Sequence, residues 1–117
     1  MALLKVGSRY AGKAAEIVGN DGGRVARMWC PGCEDHHMVR LDAATGWTWN
    51  GDMERPTFTP SILVNGGSQD RRCHSFVTDG AWQFLTDSTH RLAGQTVPMV
   101  PIPEKYLWRD ETCRRST

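Results

Sequence analysis

Two cysteine-bearing stretches of the sequence could together form a metal site. Cys30 and Cys33 are separated by a Pro-Gly dipeptide, His37 follows four residues after Cys33, and Cys73 lies 40 residues beyond Cys33. Two thiolates with this separation can reach one ion from a single tight turn, which Gly32 permits while letting backbone N–H groups approach the sulfurs. Thiolate and imidazole ligands in this number favour tetrahedral zinc.

The fourth ligand of this site is open. The candidates are the histidines of the chain, which are His36, His37, His74 and His90. The three residues between Cys33 and His37 let the chain curl back, which favours His37, with its neighbour as the nearest alternative. Adjacent strand residues point to opposite faces, so Cys73 and His74 are not expected to bind one ion. A closed, cysteine-rich shell leaves no open coordination position, so we expect structural zinc.

Disulfide or redox chemistry is the alternative use of the cysteines. Four cysteines could form two disulfides, and Cys30 with Cys33 could form a redox pair. Residues 1–5 are too short to be a signal peptide, so we expect the reducing cytoplasm, where this spacing favours metal. A thioredoxin-like motif also precedes a helix. A strand-like segment follows the second cysteine here, so metal is the favoured reading.

A serine nucleophile is the second chemical possibility. Ser61 follows a proline where a strand is predicted to begin. A serine becomes nucleophilic only beside an oriented base. The candidate bases are His74 and His90, and the candidate orienting acids are Asp79 and Asp87. Each also suits a structural role in a turn, cap or core, and the chain has no nucleophile-elbow motif. On the residues alone, the structural roles are therefore favoured.

The elements that must position these groups are predicted to be short β-strands. Residues 73–78 and 81–85 form a hairpin with Asp79-Gly80 as its turn. A second hairpin around residues 20–23 leads into the turn at residues 30–33, here called the knuckle. Residues 37–41 return from it as a strand. Trp47 and Trp49 share one face of a strand and are expected in the core rather than in a ligand platform.

Other segments are predicted from prolines and capping residues. Pro56 and Pro60 do not suit a central strand, so the segment before Ile62 is expected to be an edge strand or an extended loop. Residues 87–94 read as one or two helical turns that Asp87 or Ser88 would cap. Residues 97–103 contain three prolines and are expected to be extended. The fold class is therefore mainly β, a small antiparallel fold with a zinc knuckle and one short helix.

Composition excludes several functional classes. With 117 residues, the chain is expected to form one zinc-stabilised domain over 1–117, least certain over 1–20 and 104–117. The net charge of +1 lacks the basic footprint of a nucleic-acid-binding protein. No apolar run approaches the roughly 20 residues that a membrane helix needs. We therefore expect no nucleic-acid partner and no membrane association, and the composition leaves the oligomeric state open.

Five motifs together resemble one protein family. They are Cys-Pro-Gly-Cys at 30–33, Gly-Trp-Thr-Trp-Asn-Gly-Asp at 46–52, Pro-Thr-Phe-Thr-Pro-Ser at 56–61, Cys-His-Ser-Phe-Val-Thr-Asp-Gly at 73–80 and Asp-Ser-Thr-His-Arg-Leu-Ala-Gly-Gln-Thr at 87–96. The family comprises small zinc-ribbon-like phage and prophage proteins of unknown function. It is related to candidate peptidases encoded beside bacterial ubiquitin-like conjugation genes. The resemblance covers residues 28–103 and implies metal ligation by Cys30, Cys33 and Cys73 in the cytoplasm of a bacterial host cell. It also implies a polar cluster of Ser61, His74 and residues 87–90.

Two functional hypotheses follow. The first is a zinc-stapled hydrolase, a serine-type peptidase that acts on a polypeptide, with a ubiquitin-like protein as one candidate substrate. Ser61 would be its nucleophile and His74 its base. Asp87 or Asp79 would orient that base, and His90 would be the reserve base. The second is a non-catalytic zinc-ribbon-like module that binds a partner protein through the Trp47 and Trp49 region or the His36-His37 edge of the knuckle.

Overall fold

The computed structural model describes residues 12–107, apart from residues 21, 22, 43 and 45. Within this part of the chain, eight strands form two antiparallel sheets, with the orders β1-β2-β3 and β4-β5-β6-β7-β8. The strands are β1 (Ala15–Asn20), β2 (Gly23–Cys30), β3 (Asp35–Arg40), β4 (Thr48–Trp49), β5 (Phe58–Val64), β6 (Cys73–Thr78), β7 (Ala81–Phe84) and β8 (Thr96–Pro98). A short 3-10 helix covers Glu104–Tyr106. The predicted mainly β, antiparallel fold is confirmed.

The three-stranded sheet carries the knuckle. β1 pairs with β2 up to Asn20 opposite Gly23, and the two residues that join the strands lie outside the described part of the chain. β2 pairs with β3 up to Cys30 opposite Asp35. The strand pairing predicted on both sides of the knuckle is therefore confirmed, and the knuckle is the connection between β2 and β3.

The hairpin of β6 and β7 follows the sequence prediction closely. Thr78 lies opposite Ala81, and Asp79 and Gly80 between them have φ angles of 49° and 79°. Two consecutive positive φ angles define the turn type whose twist matches paired strands, and Asp-Gly is a favoured sequence for it. This hairpin is confirmed. β8 pairs with β7 in the same sheet, at the start of the proline-rich segment that was predicted to be extended.

The prediction of an edge strand or loop around Pro60 is wrong. β5 begins at Phe58 and lies between β4 and β6, so it is an interior strand. The pairing with β6 shifts register between Phe58 and Ile62, and the Thr59–Pro60 peptide bond is cis. A proline cannot donate to a ladder, and an irregular stretch is where a sheet tolerates one.

The helical turns predicted over residues 87–94 are also wrong, because the segment forms turns instead. A side chain and a distant backbone carbonyl occupy N–H groups that a helix would use. The Leu92 N–H donates to Nδ1 of His90 at 3.2 Å, and the Thr89 N–H donates to the Arg72 carbonyl at 2.9 Å. The local bond to the His90 side chain competes with helical bonding. The short helix among the described residues is the one at Glu104–Tyr106.

One hydrophobic core joins the two sheets. It includes Ala26 and Met28 from the first sheet and Phe58, Val77 and Trp82 from the second, all at most 2% exposed. Trp47 and Trp49 pack partly buried against this core, as predicted. Among the described residues, no helix has the length and apolarity needed to cross a lipid bilayer. The knuckle lies beside the seam between the two sheets, so a ligand from each sheet can meet there.

Candidate functional site

The knuckle turn brings the first two sulfurs together. Cys30 ends β2, and the Glu34 N–H closes the turn on the Cys30 carbonyl at 2.8 Å. The backbone N–H of Cys33 donates to Cys30 Sγ at 3.3 Å, an arrangement that favours a thiolate. The left-handed residue of this turn is Glu34, with φ of 56°, and not Gly32. The expected approach of a backbone N–H group to a cysteine sulfur is present in this turn.

Four side chains converge beside this turn. The ligand atoms of Cys30, Cys33, His37 and Cys73 all lie within 4.8 Å of one another, and the sulfurs of Cys30 and Cys73 are 4.0 Å apart. Tetrahedral zinc with bonds of about 2.3 Å would separate its sulfur ligands by roughly 3.8 Å. The four side chains could therefore bind a metal ion with little movement.

His37 presents its ring to the sulfurs in the required form. Its Nδ1 lies 3.0 Å from the His36 carbonyl, which can only accept, so Nδ1 carries the hydrogen. Nε2 therefore holds a lone pair, and it is buried without a hydrogen-bond partner. A buried imidazole nitrogen is rarely left unpaired, and a second-shell carbonyl of this kind is usual behind a metal-bound histidine.

The thiols alone form an electrostatically unfavourable group. The sulfur–sulfur contact with Cys73 lowers the pKa of Cys30 to about 4, and burial raises the pKa of Cys33 to about 11. The same contact with Cys30 raises the pKa of Cys73. Burial and the negative charge at Cys30 thus both disfavour thiolates at the other two cysteines. A divalent cation would remove this conflict, because it stabilises all three as thiolates.

The other histidines lie outside this ligand set. His36 points away from the sulfurs, where its Nε2 accepts a hydrogen bond from Arg27 at 3.3 Å and its ring lies against Trp29 and Tyr106. His90 approaches Cys73 Sγ with its Nε2 at 3.3 Å. Its hydrogen bonds involve Cys73 and Leu92 rather than Ser61.

A second constellation lies on the opposite face of β6. Ser61 Oγ is 3.2 Å from Nε2 of His74, and Nδ1 of His74 is 3.1 Å from Oδ2 of Asp87. The carboxylate can only accept, so Nδ1 carries the hydrogen and Nε2 faces the hydroxyl with its lone pair. A serine, an imidazole and a carboxylate are thus connected in the order that nucleophilic activation requires.

Contacts to its backbone hold His74, the histidine of this hydrogen-bond series. Ser88 is 7% exposed, and its hydroxyl accepts from the His74 N–H at 2.9 Å and donates to the His74 carbonyl at 3.0 Å. The Leu85 N–H donates to the same carbonyl at 2.8 Å. This role of Ser88 was missed from the sequence, where a capping serine was the only visible signal.

The two ends of the hydrogen-bond series, Ser61 and Asp87, are also held by contacts to their backbone. The Trp47 indole N–H donates to the Pro60 carbonyl at 2.9 Å and lies 3.3 Å from the Ser61 carbonyl. Arg72 Nε donates to the backbone carbonyl of Asp87 at 2.9 Å. Neither contact could be inferred from sequence, because Trp47 is 14 residues from Ser61 and Arg72 is 15 residues from Asp87.

Asp79, the other candidate acid, lies elsewhere. Its carboxylate pairs with Arg55 at 2.7 Å, and both side chains are about two-thirds exposed. Its backbone N–H donates to Thr57 Oγ1 at 2.8 Å. Asp79 therefore belongs to the hairpin turn, and Asp87 is the carboxylate in contact with His74.

The face of β6 that carries His74, here called the serine face, is partly open to solvent. The side chain of His74 is 26% exposed, and an open groove of about 490 Å³ is lined in part by His74, Asp87 and Gly94. Leu63 lies directly opposite His74 in the pairing of β5 with β6, and Phe76 is two residues along β6 on the same face. Leu63 is 53% and Phe76 41% exposed. An extended ligand could therefore reach this face.

The comparison with known proteins gives one match. A family model described as bacterial ubiquitination-like system serine protease (BubE) matches residues 5–85. This range is more than half of the chain and includes Ser61 and His74, and it ends two residues before Asp87. No curated protein and no solved structure matches the chain. The chain therefore belongs to the BubE family, the serine proteases of bacterial ubiquitination-like systems.

Proposed function

We propose that this chain is a serine-type peptidase in which Ser61, His74 and Asp87 are the catalytic groups. The observation that carries the proposal is the unbroken hydrogen-bond chain from the Ser61 hydroxyl through His74 to Asp87. The family description supports the reaction class independently of this geometry. The metal ligands are a separate set of residues, so the proposed chemistry does not depend on a metal-bound water.

The proposed reaction follows from the tautomer of His74. Ser61 Oγ attacks the carbonyl carbon of the scissile bond while His74 Nε2 takes the hydroxyl proton. Asp87, at 3.1 Å from Nδ1, holds the ring in the required tautomer and stabilises the imidazolium. His74 then gives the proton to the leaving amine as the carbon–nitrogen bond breaks. Water, deprotonated by the same ring, releases the acyl group and restores Ser61.

The proposed role of the metal is structural zinc. Cys30, Cys33, His37 and Cys73 would fill all four positions of a tetrahedral site, which leaves none for substrate or water. Bound there, zinc would stabilise the fold by joining the knuckle of the first sheet to β6 of the second. It would also fix the start of β6, whose second residue is His74.

The proposed substrate is a polypeptide, specifically a ubiquitin-like protein or a conjugate of one, in the bacterial cytoplasm. The family description names a ubiquitination-like system, which supports this substrate class. The open face beside His74, with Leu63 and Phe76 exposed, is compatible with an extended polypeptide. Trp47 and Trp49 are engaged in core packing and backbone hydrogen bonds, which does not favour the alternative of a binding module that uses them.

Labelling with a fluorophosphonate probe tests the proposal. The probe reacts with activated serine hydroxyls, so we expect labelling of the wild type and none of the Ser61→Ala variant. Ser68→Ala is the matched control, because the Ser68 hydroxyl accepts from two backbone N–H groups and has no imidazole partner among its described contacts. Equal labelling of wild type and Ser61→Ala, or no labelling of the wild type, would overturn the serine mechanism.

A further inference from the structure

His90 lies beside the candidate metal site and contacts both the knuckle and the second sheet. Its Nε2 is 3.3 Å from Cys73 Sγ, and its Nδ1 is 3.2 Å from the Leu92 backbone nitrogen. Its ring meets the Phe84 ring edge-on, with centroids 4.6 Å apart and planes at 89°. These contacts fix both the position and the orientation of the imidazole.

The contact with Leu92 determines the tautomer of His90. A backbone N–H can only donate, so Nδ1 of His90 accepts and holds its lone pair there. A neutral imidazole has one hydrogen on nitrogen, which must then be on Nε2. The Nε2–H therefore points at the sulfur of Cys73 as a donor. His90 in this form offers no lone pair at that nitrogen, either to a metal or to a serine proton.

Gly32 has a role that the turn geometry does not explain. A Cβ atom at Gly32 would overlap the ring of His90. The glycine of the Cys-Pro-Gly-Cys sequence therefore leaves room for the imidazole to lie directly on the knuckle backbone. The knuckle and His90 form one packed unit, although they are 58 residues apart.

The segment that carries His90 also carries the groups that hold His74. Asp87 and Ser88 precede His90 by three and two residues. The His90 carbonyl accepts from the Ala93 N–H at 3.1 Å, and the Thr89 N–H is bound to the Arg72 carbonyl. Anchoring His90 at the sulfur cluster therefore restricts the position of Asp87 on the other face of β6.

We propose that His90 is a positioning residue that donates its Nε2–H to the metal-bound thiolate of Cys73 and thereby anchors the segment bearing Asp87. This inference rests on the proposed metal site. A hydrogen bond to a coordinated thiolate reduces its excess charge and fixes its direction, and loss of such a partner typically costs about 10- to 100-fold in metal affinity. His90 thus couples metal binding to the arrangement of the serine face.

The test measures zinc affinity by competition with a chromophoric chelator. His90→Phe keeps a ring beside Phe84 but removes the donor, and we expect zinc affinity to fall by about 10- to 100-fold. His90→Gln can place an amide N–H near the sulfur, so we expect it to restore most of the affinity. A His90→Phe variant that binds zinc as tightly as wild type, or a His90→Gln variant as weak as His90→Phe, would overturn the proposal.

Three further measurements keep the test decisive. Gly32→Ala should displace the ring and weaken zinc binding even if His90→Phe does not fold, and unchanged affinity in Gly32→Ala would count against the proposal. Amide hydrogen exchange at Ser88 and Thr89 should accelerate in His90→Phe, and unchanged exchange would refute the anchoring.

Ser61→Ala is the control and should bind zinc as wild type does, so failure of the serine mechanism leaves this result intact. A wild-type chain that binds no zinc would overturn the inference together with the metal site.

Discussion

Two neighbouring residues of β6 belong to two different kinds of site. Cys73 is fully buried among sulfurs and contributes to a closed ligand set, whereas the side chain of His74 is 26% exposed and faces Ser61 and Asp87. The alternation of a β-strand sends consecutive side chains to opposite faces, so one strand can supply a buried staple and a reactive surface. Under the proposed function, this alternation would separate the stabilising site from the chemical one.

The two sites also differ in the range of their contacts. The sulfur cluster joins the three-stranded sheet to the five-stranded sheet. The hydrogen bonds that connect Ser61, His74 and Asp87 lie within the second sheet and the turn after β7. Damage to the first should therefore affect the whole fold. Damage to the second should affect chemistry and leave folding intact. The following variants separate these two effects.

The largest effect is expected from Cys73→Ser. Zinc sites of this type contribute on the order of 10 kcal/mol to folding, comparable with the whole stability of a small domain, so most of that stability should be lost. Metal analysis and thermal unfolding with and without a chelator measure this. The control is Cys113→Ser, at the fourth cysteine, which lies outside the described residues. If Cys73→Ser retained stoichiometric metal and its melting temperature, the staple would be disproved.

Asp87→Asn should slow the chemistry without affecting the metal. The amide no longer holds Nδ1–H of His74 as a carboxylate does and cannot stabilise the imidazolium. The rate constant of fluorophosphonate labelling should fall by roughly 10²- to 10⁴-fold. Zinc content and melting temperature should stay at wild-type values. A labelling rate within twofold of wild type would remove Asp87 from the mechanism.

Trp47→Phe should produce an intermediate effect on the serine face. It removes the indole donor to the Pro60 carbonyl, and the loss should cost about 0.5–1.5 kcal/mol in the free energy of unfolding and slow labelling several-fold. Trp49→Phe is a matched control, because its indole donates to the Asp52 carbonyl at 3.2 Å, away from Ser61. Labelling that slows equally in both variants would show that the effect is not specific to the Ser61 strand.

Asp79→Asn should have the smallest effect. The carboxylate pairs with Arg55 while both side chains are about two-thirds exposed, and such pairs contribute about 0–1 kcal/mol. Chemical denaturation should therefore shift slightly, and fluorophosphonate labelling should be unchanged. A large drop in labelling would restore Asp79 as the orienting acid and contradict the assignment of Asp87.

The sequence predicted the features that depend on neighbouring residues. The Asp79-Gly80 turn, the knuckle between two strands and the opposite directions of Cys73 and His74 all follow from local backbone chemistry, since turn residues and strand alternation act over a few positions. The spacing of Cys33 and His37 similarly favoured the histidine that lies beside the sulfurs. Each of these inferences required no knowledge of strand order.

Only the tertiary structure decided how distant segments meet. The register of β5 with β6 places Leu63 opposite His74, and Ser61, two residues earlier in β5, reaches the imidazole from there. The irregularity around Pro60 lets β5 be an interior strand despite its proline. Contacts of His90 with Cys73 and Leu92 replaced the expected helical turns and separated this histidine from Ser61. Such outcomes depend on packing between elements far apart in the chain, which local propensity does not encode.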